Sequence, residues 1–588
     1  MSTERTTDRQ LARKLLPFLR GEAWLYGIAF ALAPISAVVT VLQPWLLKRA
    51  IDEAILPGDM DSLTRIALTY LVAVLIAFVA ESGYTLAISY GATGTITRLR
   101  DAVFSHTMSL APAFFDREPT GKLLTRATSD VEALGETLSA GAFTIVLDVM
   151  LVLGIVTAML WLDPWLTGVL LLIAPPLALM IEVIRRRLRR LYQLVRTNLA
   201  ALNAYTAERI AGVEVVQLYG DEERTSAQFD VRLTEYRDAT IGTNVWDGLL
   251  YAVVDGLSSI TMALMLWYAA SGWFAGGAIT AGLLAAFIDY VGKLFSPIRE
   301  LSAKLAVLQR ASSALDKIFG LLDHRERIVP GTAHLPAEPG KVTLRDVEFA
   351  YGAGPDVLKG IELEVPPGEV VALVGRTGSG KSTVGKLLLR AYDGYRGSVT
   401  IDGVELSTIR TAALRTRISV VQQDVVLFPG TVRFNLTLGA PVDDARLNDA
   451  IELAQLGDVV ERLGGLEGRV SHGGSNMSVG EAQLMSFART LARDGALVIL
   501  DEATASVDTL TESRIQRATQ ALFERRTVLV VAHRLSTITG ADRIVVLDAG
   551  RIAESGHHAD LLAAGGAYAA LFHSQFEEDT PAEASSAS

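Results

Sequence analysis

The densest chemistry in the sequence is a nine-residue run, Gly375-Arg376-Thr377-Gly378-Ser379-Gly380-Lys381-Ser382-Thr383. It follows the β-rich Val370–Val374, leads into the helical VGKLLLR and fits the spacing G-x-x-x-x-G-K-[ST]. Backbone N–H groups in such a loop, and the N-terminus of the helix after it, suit the oxygens of a phosphate chain. Lys381 is placed to reach β and γ phosphates, and the Ser382 hydroxyl to hold Mg²⁺. A second β-rich run, Leu497–Leu500, ends in Asp501-Glu502. Successive side chains leave a strand on opposite sides, so Asp501 is assigned to magnesium and Glu502 to polarising the attacking water. His533 follows a third run, Val528–Val531. By itself it is either a surface or packing residue or a hydrogen-bond partner for the γ-phosphate or the water.

These residues need a sheet whose strands end side by side. From Lys341 onward, short β-rich runs (Val342–Leu344, Val370–Val374, Ile418–Val421, Leu497–Leu500, Val528–Val531, Ile544–Leu547) alternate with helical segments. That pattern predicts an α/β domain over 341–575 with a largely parallel sheet. Residues 323–340, with three prolines and two glycines, read as a linker, and 576–588 as a disordered acidic, Ala/Ser-rich tail.

The first half has a different solvent. The chain has 588 residues, enough for up to about four domains. Half of them are hydrophobic and only 20% are charged; with a mean hydropathy of +0.33, some apolar residues must face lipid. Six stretches of spanning length fall before residue 300, near 22–47, 65–90, 138–162, 164–184, 247–271 and 277–297. They predict an all-α transmembrane domain over 1–322. Leu162-Asp163-Pro164 makes a tight hairpin, and Ser271-Gly272-Trp273-Phe274 a second. Basic residues collect before the first span (Arg5, Arg9, Arg13, Lys14, Arg20) and after the fourth (Arg185, Arg186, Arg187, Arg189, Arg190). Those faces are expected in the cytoplasm, with both termini, in a multi-pass cell-membrane protein that has no cleavable signal peptide. The polar connections 91–137 and 185–246 read as helices continuing into water, with turns near Pro112–Gly121 and Ile210–Gly220.

Other classes are excluded by composition. A net charge of −11, from 54 basic and 65 acidic residues, argues against a nucleic-acid partner. Zero cysteines exclude disulfides and thiolate chemistry. Glu81, Asp148, Asp255 and Asp289 lie within the expected spans, where charge is costly. They are expected to face a water-filled cavity or to pair with one another, or else to sit near the interface at the helix ends. With Tyr84, Trp246 and Tyr290 such a cavity suits amphipathic cations.

The order of motifs over about residues 10–575 resembles ATP-binding-cassette exporters built as half-transporters, with six membrane helices followed by one α/β P-loop NTPase domain. The motifs are Gly375–Thr383, Gln423 in VVQQDVVLF, Ser478 and Gly480 in NMSVGEAQ, LVILDEATASVD with Asp501 and Glu502, and His533 in VVAHRLST. FFDREPTGKLLTRATSDVEAL, residues 114–134, resembles the family's pattern around its first coupling helix. The resemblance implies Tyr351 as the aromatic stacking on adenine, Gln423 as the sensor of magnesium and of the membrane domain, Ser478 and Gly480 as the signature loop, Asp508 in the D-loop and His533 as the switch histidine.

It further implies ATP and Mg²⁺ as cofactors and a dimer in which each ATP lies between the phosphate loop of one chain and the signature loop of the other. The implied activity is ATP hydrolysis driving export of amphipathic small molecules, multidrug or lipid-like, by alternating access. Lipid flipping, peptide export and an ATP-gated channel or regulator are the alternatives on the same frame. One departure stands out. The family's usual LSGGQ is here Met477-Ser478-Val479-Gly480-Glu481, and Ser471-His472-Gly473-Gly474 departs upstream. A branched side chain and a carboxylate close to a triphosphate are expected to weaken that contact. Such asymmetry resembles heterodimeric exporters, with this chain carrying the catalytic glutamate and the degenerate signature; a homodimer whose signature tolerates Val479 and Glu481 is the alternative.

Overall fold

Apolar runs long enough to cross hydrocarbon must satisfy every backbone group internally, and a helix does so. In a computed structural model of the chain, which describes residues 8–270, 279–336, 340–493, 495–501, 509–532 and 535–576, these runs are helices. Ala23–Arg49, Met60–Met108, Pro164–Ala211, Glu222–Ala270 and Ala281–Leu322 are continuous, and Thr120–Leu162 is helical with π-helical turns at Arg126–Asp130 and Thr137–Gly141. Among the described residues, five helical stretches (13–55, 60–108, 120–162, 164–211 and 222–267) are long and apolar enough to span a membrane. The sixth expected span, 277–297, starts outside the described residues and runs into Ala281–Leu322.

Chain contacts divide the protein into two units, Met1–Met108 with Thr120–His324, and Ser109–Pro119 with Arg325–Ser588. In the first, Asp163 caps the fourth long helix by accepting hydrogen bonds from Trp165 N at 2.9 Å and Leu166 N at 3.0 Å. Pro164 supplies the first helical residue, where a missing N–H costs nothing. This is the expected tight hairpin; the second, at Ser271–Phe274, lies outside the described residues. Pro34, Pro44, Pro175 and Pro176 all sit within unbroken helices. At about 1.5 Å per residue, the 49 residues of Met60–Met108 extend about 73 Å, more than twice the thickness of hydrocarbon. Ile155, Met159, Leu166, Phe287 and Tyr290 are buried between helices, while Phe78, Trp161 and Leu172 are exposed. Apolar residues on the outside as well as the inside fit an apolar solvent.

Two of the acidic residues expected within the spans pair with lysines. Asp148 accepts a hydrogen bond from Lys304 at 2.6 Å, and Asp289 pairs with Lys293 at 3.1 Å. Lys293 also donates to Gln43 Oε1 at 3.1 Å. Two of the four carboxylates are therefore neutralised by lysines of the last long helix rather than by one another, because an opposite charge offsets burial and a second carboxylate worsens it.

Among the described residues, the second unit has twelve strands: β1 (Val342–Ala350), β2 (Asp356–Val365), β3 (Val370–Val374), β4 (Arg396–Ile401), β5 (Val404–Glu405), β6 (Ile418–Val421), β7 (Gly430–Thr431), β8 (Arg469–Val470), β9 (Leu497–Asp501), β10 (Thr527–Val531), β11 (Arg543–Asp548) and β12 (Arg551–Gly556). Six make a sheet in the order β12-β11-β3-β10-β9-β6, parallel except for the β11–β12 pair. Its central strands are apolar on both faces, as strands covered on both sides must be. A second sheet, β2-β1-β4-β5, is antiparallel throughout. It was not expected from sequence beyond β1. Residues 325–336 lie along this unit, with Ala333 N donating to Thr408 O at 2.9 Å and Arg390 donating to Val329 O at 2.9 Å.

Candidate ATP site

Three strand ends converge at one edge of the parallel sheet. In register, Val531 of β10 lies beside Leu373 of β3 on one side and Asp501 of β9 on the other. The phosphate loop leaves β3 there and turns into the helix Lys381–Leu388. Two glycines are obligatory for that turn. Gly375 has φ +150° and a Cβ on it would lie 2.1 Å from Leu547 O; Gly380 has φ +108°, with Leu358 Cδ2 2.7 Å from its would-be Cβ. Backbone N–H groups can approach an anion closely only where side chains are absent.

The residues of the loop fit a phosphate chain. Ser379 Oγ is buried with no hydrogen-bond partner within the described protein. Lys381 is buried, and its ammonium donates to Gly375 O at 2.6 Å and Arg376 O at 3.1 Å, folded over the loop. Burial lowers its pKa below the ordinary 10.5, an effect that the nearby Asp501 carboxylate opposes. An ammonium kept in a low-dielectric loop, hydrogen-bonded among the described residues to carbonyls, is well matched to an anion. Ser382, beside it, is exposed, as are Arg376, Thr377 and Gly378, whereas Thr383 is buried.

Tyr351 stands at the end of β1. Its hydroxyl is 3.0 Å from Thr383 Oγ1, and its ring meets those of Phe349 and Tyr392 edge-on, each at 5.0 Å between centroids. Tyr351 is partly exposed, so a face of the aromatic cluster is available. Gln423 is exposed two residues beyond β6, whose Val421 pairs with Leu500 of β9. The sheet register thus brings Lys381, Asp501 and Gln423 to neighbouring strand ends. Glu502, Asp508 and His533 lie outside the described residues.

The signature residues are held by other elements. Ser478 and Val479 are exposed and Gly480 is buried at the start of the helix Val479–Arg493. Its apolar side, with Leu484, Met485 and Ala488, packs in a core with Leu447, Ala450 and Leu436. Half-buried Arg489 ties this helix to the chain after Gln423 by donating to Val426 O at 3.0 Å and Asn435 O at 2.8 Å. The carboxylate of Glu481 is fully engaged at the helix start, bonded to Ser478 N at 2.8 Å and to Arg462 at 2.7 Å. Arg462 thus sets a positive charge beside the carboxylate that is expected to weaken contact with a triphosphate.

Sequence reasoning missed Asp116, Lys386 and Tyr392. Asp116, on the short helix Pro112–Arg117, accepts hydrogen bonds from Lys386 at 2.8 Å and Tyr392 at 2.7 Å. Ala111 N donates to Glu326 O at 2.9 Å, and Arg117 pairs with Glu326. The first expected turn is thus fastened to the helix that carries Lys381. The second, expected near 210–220, is the short helix Val213–Leu218 between Gly212 and Gly220.

Comparison with known proteins agrees with this geometry. The family profile described as "ABC transporter transmembrane region" matches residues 26–298, and that described as "ABC transporter" matches 358–505. The uncharacterized ABC transporter ATP-binding protein YfiC of Bacillus subtilis is 32% identical over 574 residues, 96% of this chain and 94% of the relative. The chain belongs to the ABC transporter family. The transporter is also 32% identical, over 97% of its length and 99% of the relative's, to the ATP-dependent lipid A-core flippase of Thiobacillus denitrificans. Among solved structures, a bacterial Atm1-family ABC exporter with ATP bound superposes with a TM-score of 0.73 at 27% identity, covering 97% of this chain and 99% of the other. This is a half-transporter with a helical membrane domain and a nucleotide-binding domain, an exporter that couples ATP hydrolysis to transport across the membrane it spans. Members of the family work as dimers.

Proposed function

We propose that this transporter moves amphipathic, lipid-like molecules out of the cytoplasm by ATP-driven alternating access, with both termini cytoplasmic. The carrying observation is the phosphate loop, where Gly375, buried Ser379 Oγ and the desolvated Lys381 share a sheet edge with Asp501. In this reading the membrane domain spans 1–322, a linker 323–340 and the nucleotide-binding domain 341–575, with a tail at 576–588. Tyr351 stacks on adenine, and residues Gly375 to Thr383 cradle the phosphates with Lys381 on the β and γ groups. Ser382, Asp501 and Gln423 are the residues that would hold Mg²⁺, which offsets phosphate charge when bound. Glu502 orients and polarises the attacking water, His533 hydrogen-bonds the γ-phosphate, and Asp508 lies at the dimer seam. Ser478 and Gly480 meet the nucleotide held by the partner chain.

A lipid-like cargo is supported by the flippase names of several relatives. It is supported also by the lysine pairing of Asp148 and Asp289, which offsets two of the four carboxylates that a cation would meet. A heterodimer is supported by Val479, exposed where the family's signature has glycine, and by the upstream departure at Ser471–Gly474; the charge of Glu481 argues for it less, since Arg462 pairs with it. Purification of the tagged chain from its host membrane, with mass spectrometry of accompanying chains, tests this. A second half-transporter is expected, and self-association alone contradicts the heterodimer.

The chemical assignment is tested by Glu502→Gln. Losing the base that polarises water is expected to cut ATP turnover about a hundredfold or more while ATP binding persists. Wild-type turnover in that variant removes Glu502 from the role.

A further inference from the structure

We infer that Arg462 is a positioning residue for ATP hydrolysis, acting through Glu481 to hold the signature serine, Ser478. The first N–H groups of the helix Val479–Arg493 have no partners within the helix. Ser478 and Glu481 satisfy two of the local donors reciprocally. Glu481 Oε2 accepts from Ser478 N at 2.8 Å, and Ser478 Oγ accepts from Glu481 N at 3.2 Å. This is a capping box, three residues apart as it must be.

The second oxygen has a different partner. Glu481 Oε1 accepts from Arg462 Nη2 at 2.7 Å, while Arg462 Nη1 donates to Asn476 O at 3.3 Å. Asn476 in turn closes the loop, its side chain accepting from Ser471 N and donating to Arg469 O, each at 3.0 Å. Arg462, in the last turn of the helix Gly457–Leu463, therefore grips both the cap and the strand of chain leading to it.

The chemistry assigns each part a task. With Ser478 Oγ accepting from Glu481 N, its own O–H is left to donate outward, toward a phosphate oxygen. A glutamine in place of Glu481 can accept from Ser478 N in the same way and carries no charge. A glutamate makes the same cap and adds a negative charge at the place where a triphosphate arrives. Arg462 offsets that charge, so the two residues form one functional unit, and a carboxylate is tolerated in this signature because its guanidinium partner comes from a neighbouring helix. The inference rests on the reading that this loop meets the nucleotide held by the partner chain.

The test is steady-state ATPase activity against ATP concentration, in lipid nanodiscs, of the transporter purified with whatever chain accompanies it. The variants are Arg462→Ala, Arg462→Lys, Glu481→Gln, the double variant Arg462→Ala/Glu481→Gln, and Ser478→Ala. Both groups are partly exposed, so solvent screening keeps the effect moderate. R462A is expected to lower kcat/KM about fivefold, mostly through KM for ATP, and R462K to recover most of the loss. The double variant is expected to return to within about twofold of E481Q, because removing the charge removes the need for its partner. If R462A matches the wild type, or the double variant stays as impaired as R462A, Arg462 does not act through Glu481 and the inference is overturned. S478A separates the two layers. A fully active S478A overturns the reading of the loop and this inference with it, whereas an impaired S478A beside an unaffected R462A overturns the inference alone.

Discussion

The Tyr392 hydroxyl donates to Asp116 Oδ2 at 2.7 Å, and the same tyrosine ring stands edge-on to Tyr351. One side chain thus touches both the short helix Pro112–Arg117 and the aromatic proposed to hold adenine. Lys386, on the helix that starts at Lys381, donates to the same Asp116 oxygen at 2.8 Å. Burial, the largest single influence, pushes the Asp116 carboxyl up, but the bonds from Lys386 and Tyr392 together hold it below the ordinary carboxylate value. A depressed folded-state pKa means the contact is at full strength above the ordinary carboxylate pKa and is lost as pH falls through the lowered value. The link is therefore intact at neutral pH.

Asp116→Ala removes an acceptor shared by two donors, a loss of about 1.5–3 kcal/mol for charge-assisted bonds, less where solvent screens them. Transport per ATP hydrolysed is expected to fall about tenfold in proteoliposomes, with hydrolysis itself reduced less than about threefold. Tyr392→Phe, which removes one donor, is expected to fall between. Normal transport in Asp116→Ala would detach this contact from coupling.

Lys381 gives a pH dependence of definite sign. Its folded pKa is lowered by desolvation, and only the charged form pairs with phosphate. ATP affinity is expected to weaken as pH rises through that lowered value, below 10.5, and ATP binding to take up protons there. Its contribution to stability without nucleotide runs the other way, improving as pH rises from the lowered pKa to the unfolded one. Calorimetry in buffers of different ionisation enthalpy reads the proton uptake directly. Lys381→Ala is expected to lower ATP affinity at least about tenfold and to abolish the effect.

In the membrane unit, Asp148→Ala takes away the carboxylate 2.6 Å from the Lys304 ammonium. Breaking one side of a partly buried pair is expected to cost about 3 kcal/mol, whereas Asp148→Asn with Lys304→Met is expected to cost less than the single change. Thermal unfolding in detergent compares them. Equal stability of Asp148→Ala and wild type would mean that the pair is not held inside the membrane domain.

What was legible in the sequence is what neighbours in the chain determine. Val370–Val374 and Ile418–Val421 are strands with the bounds that their apolar runs suggest, and the phosphate loop follows from nine consecutive residues. The antiparallel sheet was not, because β2 and β4 pair with β1 across intervening segments, and no local run of residues specifies that pairing. Asp116 and Tyr392 lie 276 residues apart, and no local pattern joins them. The lysines that neutralise Asp148 and Asp289 come from packing of the last long helix, which hydropathy alone does not reveal. Glu481 is different. Ser478-Val479-Gly480-Glu481 fits the S-x-x-E spacing of a capping box, so its engagement was readable, although the part played by Arg462 was not.

The central claim is that ATP hydrolysis at this site drives molecules across the membrane against a gradient. Its most direct test is accumulation of a fluorescent lipid analogue in proteoliposomes that hold the purified transporter with its nucleotide-binding domains outside. Uphill, ATP-dependent accumulation by the wild type, with none by Glu502→Gln at the same protein density, is the predicted result. Equal movement by both proteins, or equilibration that ignores ATP, would contradict the account.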